Sequence, residues 1–297
     1  MGRECETEQR HPFNLHSALP QDLSFFKNDD NKTDLNKLIA DYCLQPHLSD
    51  SNLEIVVTYH HKLKSKSDGI KEVFEWIVDT HEEADNRMLI HIQDLLLNSI
   101  TNVTVRSADT DVLVILIAFM PTLTRINQNV ELWLDFGTGK NRKLISINAC
   151  YEKLGENTSL GLLFFHAFTG CDSTASFYEK TKVQFFNSWF EHSSMLNDVF
   201  KKLSWSPSRK CVEESLAVLE EFVTKLYSKS PASRSVDEAR FNLFANSVND
   251  NFRKIPPTQD ALLNHTLKCI PGRMGMGKYL ETSASAFENK LGMGNAS

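Results

Sequence analysis

Carboxylates gather in three short stretches of the chain: THEEAD at 80–85, SADTD at 107–111 and TGCDST at 169–174. Each lies where the backbone is expected to turn beside an apolar run. In the first, Glu83 and Asp85 open a stretch whose apolar residues Ala84, Met88, Leu89, Ile92, Leu95 and Leu96 recur at helical spacing, placing both acids in a first helical turn. In the second, Val103 and Val105 alternate in strand fashion through 102–106, and Asp109 and Asp111 follow where that strand ends. In the third, the apolar run 160–168 closes at Gly170, and Asp172 follows in the turn. Brought into one crevice, Glu83, Asp85, Asp109, Asp111 and Asp172 would need protons or cations to neutralise them. Hard oxygen donors select Mg²⁺ or Mn²⁺ rather than zinc. Two such ions about 4 Å apart activate water and stabilise the leaving oxygen of a phosphodiester. These residues are therefore the candidate metal ligands and catalytic residues, with DNA or RNA as the implied substrate. Each motif alone has a plainer reading, because acids favour first helical turns and Asp-x-Asp after a strand caps the next helix.

The elements that must position these acids follow from periodicity. A strand is expected at 54–59, a second short element at 69–78, a helix from 84, a strand at 102–106, and a strand pair at 131–136 and 143–147 joined through Gly137, Gly139 and Asn141. The run VLVILIAFMP after Asp111 is continuously apolar and fits either a buried strand or a helix, ended by Pro121. Helices are expected at 148–154 and 158–168, the second apolar nearly all round and therefore central. Ligands of open α/β sheets gather at the carboxyl ends of strands. GTGKN at 137–141 lacks the spacing of a phosphate loop and reads as a turn.

Around this core, 1–20 is polar and aperiodic, a disordered lead. Within 21–49, Leu35, Leu38, Ile39, Tyr42 and Cys43 mark a packing helix capped by Thr33 or Asp34. From 178 to 270 the pattern is helical, with helices at 212–226, 236–248 and 261–267, and 271–297 reads as a loose tail. Lys180 and Lys182 begin the most basic part of the chain, which also carries Lys201, Lys202, Arg209 and Lys210. Interleaved with Tyr178, Phe185, Trp189 and Trp205, such residues suit single-stranded nucleic acid. Phe185, Phe186, Trp189 and Phe190 also stand at helical spacing, the ordinary mark of core.

Composition sets outer bounds. With 297 residues, 41% hydrophobic, the chain can bury a sizeable core. A net charge of −6 excludes a generally basic nucleic-acid binder and requires any basic surface to be local. No apolar run approaches a membrane span and 1–30 lacks a signal-peptide pattern, so the expectation is an intracellular protein, nuclear or cytoplasmic, without a membrane partner. Six dispersed cysteines with no Cys-x-x-Cys suggest buried thiols rather than disulfides or a zinc ribbon. A His-Glu-x-x-His zinc motif fails because position 85 is Asp. His166 and Cys171 read as core residues rather than a nucleophile pair.

The series Glu-Ala-Asp, strand, Ser-x-Asp-x-Asp, then Gly-Cys-Asp resembles the flap endonuclease and XPG-type branch of the PIN-like nucleases. Those enzymes carry Glu-x-Glu, Asp-x-Asp and Gly-x-Asp in the same succession around two metals. The resemblance implies an α/β fold, a three-layer PIN-like core with a mainly parallel sheet at 50–177, followed by the helical region. It also gives Glu83, Asp85, Asp109, Asp111 and Asp172 the metal-holding role. The chain is similar as well to a group of uncharacterised, mobile-element-associated animal proteins sharing EEAD, S-x-DTDVLV, ELW, FHA-x-TGCD and PP-x-x-x-AL-x-x-H, here at 82–85, 107–114, 131–133, 165–172 and 256–265. Two features depart from the nuclease pattern. No apolar strand ending in Asp precedes Glu83, where those enzymes supply two further acids, and no glycine occurs in STASFYEKTKVQFF after Asp172. The departures imply an alternative, a catalytically inactive PIN-like module that binds nucleic acid or protein.

Overall fold

The computed structural model describes residues 27–43, 55–59, 62–65, 69–72, 84–205, 208–227, 235–245 and 254–270. Side chains of 29, 58–59, 62–65, 69–72 and 84–86 are outside that description. The chain divides into two compact units, Met1–Glu82 and Glu83–Ser297.

In the first unit, helix α1 (Asp29–Cys43) precedes three short strands, β1 (Val56–Tyr59), β2 (Lys62–Ser65) and β3 (Gly69–Glu72), paired antiparallel in sequence order. The helix begins earlier than Thr33 or Asp34. Asn28 Oδ1 accepts from the Asn31 amide, 3.2 Å away, so Asn28 takes the capping role that its short acceptor side chain suits. The expected strand at 54–59 and the element starting at 69 are present, and β2 is an addition. Its Lys-Leu-Lys-Ser sequence carries too little apolar signal to announce a strand.

The second unit is α/β and mostly helical, with a small mixed sheet. Helix α2 (Ala84–Leu97) leads to β4 (Asn102–Ser107), α3 (Thr110–Ile126), β5 (Glu131–Phe136), β6 (Lys143–Ser146), α4 (Ile147–Leu154) and α5 (Glu156–Phe168). β4 and β5 run parallel across the α3 crossover, and β6 returns antiparallel to β5. Val103, Val105, Leu132 and Leu134 are buried on one face, while Asn102, Thr104, Arg106 and Glu131 on the other are exposed. Asn148 of α4 donates to Val130 O at 2.8 Å and accepts from Leu132 N at 2.9 Å, extending the β5 ladder with a side chain.

The unsettled apolar run proves to be helix α3, which continues through Pro121 to Ile126 instead of stopping at the proline. Interior proline costs about 3 kcal/mol. Nine residues of α3 are buried, and each large apolar one contributes about 1.5–3 kcal/mol, so burial outweighs the lost hydrogen bond.

Helices α6 (Lys182–Glu191), α7 (Ser193–Trp205), α8 (Arg209–Tyr227), α9 (Val236–Ala245) and α10 (Gln259–Lys268) complete the unit. The centre is α5, buried at ten of its thirteen positions as its all-round apolar pattern implied. Gly161 lets α7 approach closely: a Cβ there would lie 2.9 Å from Phe200 Cβ and 3.0 Å from Trp189 Cζ2. One turn along, Trp205 Nε1 donates to Leu160 O at 2.7 Å and Phe164 N donates to Ser204 Oγ at 3.0 Å. Phe185 and Trp189 of α6 are fully buried against Phe200 of α7, while Phe186 is half-buried and Phe190 exposed, so only one edge of the aromatic stripe of α6 is core.

Candidate functional site

Two loops bring the described acids to neighbouring helix ends. The first links β4 to α3. Asp109 is the N-cap of α3, its Oδ1 accepting from the Asp111 amide at 2.9 Å, and its own amide donates to Ser107 Oγ at 3.1 Å. Capping is thus one job Asp109 performs. Asp111 occupies the first turn, where its carboxylate is favoured by the helix dipole.

The second loop, 169–174, caps α5. Gly170 adopts φ +103°, and a Cβ there would lie 2.8 Å from Ser176 Cα, so only glycine makes this turn unstrained. Thr174 ties the loop together: its hydroxyl donates to Ala167 O at 2.6 Å and accepts from Cys171 N at 3.1 Å. Asp172 is exposed at the tip. The Cys171 thiol is only partly buried. Burial pushes its pKa up, but hydrogen bonds from the Ser173 and Thr174 hydroxyls and amides outweigh this and leave it lowered. Of the described cysteines only Cys269 is fully buried; Cys43, Cys150, Cys171 and Cys211 are half-buried, which corrects the expectation of buried thiols throughout. Cys5 lies outside the described residues.

His166 of α5 joins the two loops. Its side chain is 9% exposed, and Nε2 stands 2.9 Å from Asp111 Oδ1. That contact is short but poorly directed, since Nε2 has no aligned hydrogen-bond partner. On its other side, Nδ1 stands 3.1 Å from Lys182 Nζ. An ammonium can only donate, so Lys182 donates to Nδ1 and the proton of a neutral ring sits on Nε2, facing Asp111. Burial and the Lys182 charge lower the His166 pKa, against the opposing pull of Asp111 and Asp109. The ring is therefore neutral at pH 7.

Lys182 is the first residue of α6, a position where the helix dipole disfavours a cation. Thr181 and Gln184 form a reciprocal capping box that fixes this end. Burial lowers the Lys182 pKa, while Asp111, Cys171 and Asp172 all act on the ammonium in the opposite sense. Asp111 and Asp172, 61 residues apart in sequence, thus both act on the Lys182 ammonium. Sequence reasoning named Lys182 as a nucleic-acid contact and His166 as core; their joint link to Asp111 spans 55 residues and leaves no local signal. Lys180, the other expected contact, turns inward, donating to Leu226 O at 2.7 Å with its ammonium 4.5 Å from the Tyr227 ring centroid.

Beneath the 169–174 loop lies α10. His265 Nε2 donates to Phe168 O at 2.8 Å, and Cys269 Sγ lies 3.4 Å from Ala167 O. The late PP-x-x-x-AL-x-x-H stretch therefore supports the loop that carries Asp172.

Glu83 and the Asp85 side chain lie outside the described residues, with Asp85 itself in the first turn of α2 as expected. Among the described residues, no group of three or more His, Cys, Asp or Glu side chains is close enough to hold a metal ion, and no helix is long and apolar enough to cross a membrane. Comparison with protein-family models, curated proteins and solved structures finds no match in any of the three.

Proposed function

We propose that this chain is a PIN-like, Mg²⁺- or Mn²⁺-dependent phosphodiesterase acting on DNA or RNA, with the sheet and helices of the second unit forming part of a three-layer core. The observation that carries the reading is the 2.9 Å approach of His166 Nε2 on α5 to Asp111 Oδ1 on α3, which brings the β4–α3 loop and its acids to the helix that ends in the Asp172 loop. Segments far apart in sequence meet at the carboxyl end of β4, the place where open α/β sheets hold ligands. The donor set fits hard divalent cations: carboxylates from Asp111 and Asp172, and from Asp109 where capping leaves an oxygen, with Asp85 in the first turn of α2 and Glu83 two positions before it in sequence. A bound divalent ion there would polarise water and offset charge on the phosphodiester.

The chain's own residues have definable tasks in such a reaction. His166, neutral and held by Lys182, presents its Nε2 proton to Asp111 and fixes that carboxylate's orientation. Lys182 balances the acids in the resting protein and sits where an anionic phosphate would approach them.

The same ammonium supports a second reading, an inactive nucleic-acid or protein-binding module, because a resident cation already acts on Asp111 and Asp172. The absent upstream acids favour it as well. Incubation with labelled single-stranded and flap DNA and the matching RNA, with and without Mn²⁺, separates the two. Cleavage by the wild type that disappears in Asp109→Ala and Asp172→Ala supports the enzyme; binding without metal and without cleavage of any substrate supports the module.

A further inference from the structure

A second polar cluster lies on the open face of the sheet. Asp135 of β5 is almost fully buried, yet it binds two arginines that are not. Arg142 grips it side-on, with Nε 2.6 Å from Oδ1 and Nη2 2.5 Å from Oδ2, and Arg106 Nη1 reaches Oδ2 at 2.5 Å. The side chain of Asp135 is 10% exposed, against 52% for Arg106 and 59% for Arg142. Hydrogen bonds from Arg142 and then Arg106 hold the carboxyl at about 2, so it stays charged wherever the protein is folded. One negative charge thus orients two guanidinium groups and leaves one positive charge over, with N–H groups of both facing solvent.

The surroundings add charge of the same sign. Gly137, at φ +88° and with a virtual Cβ 2.9 Å from Asn141 O, permits the tight turn that folds Arg142 back over Asp135. Lys140 of that hairpin is exposed, while Lys143, paired with Phe136, belongs to the other face. Glu131, two residues before Trp133, is the other acid of β5 on the arginines' face. In a chain of net charge −6 this is a local basic surface. Trp133 and Thr104 pair across the strands two residues before Asp135 and Arg106, so the half-buried indole shares the arginines' face. Only Ser107 and Ala108 separate Arg106 from Asp109, a span of at most about 10 Å.

We infer that Arg106 and Arg142, clamped by Asp135 and flanked by Lys140 and Trp133, bind the phosphate backbone of single-stranded nucleic acid beside the acidic site. The inference rests on the phosphodiesterase reading for its choice of ligand. Paired guanidinium forks suit phosphate oxygens, and a half-buried aromatic beside them offers a stacking surface for a base.

The test is fluorescence anisotropy of a labelled single-stranded oligonucleotide with the full chain, in EDTA so that nothing is cleaved. Arg106→Gln/Arg142→Gln should weaken binding at least tenfold at low salt and reduce the slope of log K against log salt by about 1.4, the value for two lost phosphate contacts. Lys140→Gln, at an exposed position where folding is undisturbed, should lower the slope by about half as much. Trp133→Leu should cost about tenfold in affinity with the slope unchanged. Wild-type affinity and slope in the folded arginine double variant, no binding by the wild type, or equal competition by polyglutamate would overturn the inference. Binding by the wild type with no Mn²⁺-dependent cleavage by the wild type rejects the nuclease and keeps the arginine site. Cleavage with unaltered binding in the arginine variant does the reverse.

Discussion

His265 on α10 donates a 2.8 Å hydrogen bond to the Phe168 carbonyl, the last residue of α5, across 97 positions of sequence. The bond satisfies one of the carbonyls a helix leaves unpaired at its end. Its ring also lies 5.4 Å from that of Phe168 and 5.1 Å from that of Phe177. His265→Ala removes both, and the cost should be about 1–3 kcal/mol of stability. Hydrogen exchange should show 169–174 losing protection more than α8 does. Uniform loss across the second unit would mean that His265 supports the fold at large and not that loop.

Gly161→Ala reverses the usual rule for helices. In an exposed helix interior the exchange gains up to about 1 kcal/mol. Here the added methyl meets Phe200 and Trp189 at about van der Waals overlap, with both side chains fully buried. Overpacking of this kind costs about 1–3 kcal/mol, which a lowered urea midpoint with unchanged m-value would register. An unchanged or raised midpoint would show that α5 and α7 have room to move apart.

Opposite charges act on His166 with opposite signs. Lys182→Ala should raise its pKa and Asp111→Asn should lower it, read by NMR titration of the ring. Shifts of the same sign in both variants would break the proposed Lys182–His166–Asp111 arrangement.

Stability should fall on mild acidification. Burial is the leading cause of lowered pKa at His91, His166 and His265. Below the ordinary histidine value near 6.5 the unfolded chain takes up protons that the folded chain refuses, so stability is full above that value and declines as pH drops toward the folded values. Thermal midpoints measured from pH 7.5 to 5 should decrease, and His166→Gln/His265→Gln should flatten that decrease. A midpoint independent of pH in this range would contradict the burial of these rings.

Much of the second unit was legible because its signals are local. β4, β5, α4 and α5 fall within a residue or two of their expected bounds, set by Val103/Val105 alternation, by Gly137 and Gly139 in the hairpin, and by the continuous apolar run of α5. Pro121 misled, since its cost is visible in sequence while the burial that outweighs it is tertiary. Asn28, not Thr33 or Asp34, caps α1, as several eligible residues compete there. At the candidate site the acids were found by type, and Asp109 proves also to be a helix cap. What sequence could not supply was distance: the pairing of His166 with Lys182 and Asp111 depends on how α3, α5 and α6 meet. The inward turn of Lys180 onto Leu226 and Tyr227 has the same origin.

The fastening of the α5 terminus by His265 and Cys269 bears on how the protein is made. Residues 169–174 are synthesised before α10, so a nascent chain that has not yet supplied His265 and Cys269 presents Asp172 on a loop with no clamp beneath it. Order at this end of α5 therefore waits on a residue 97 positions downstream of Phe168.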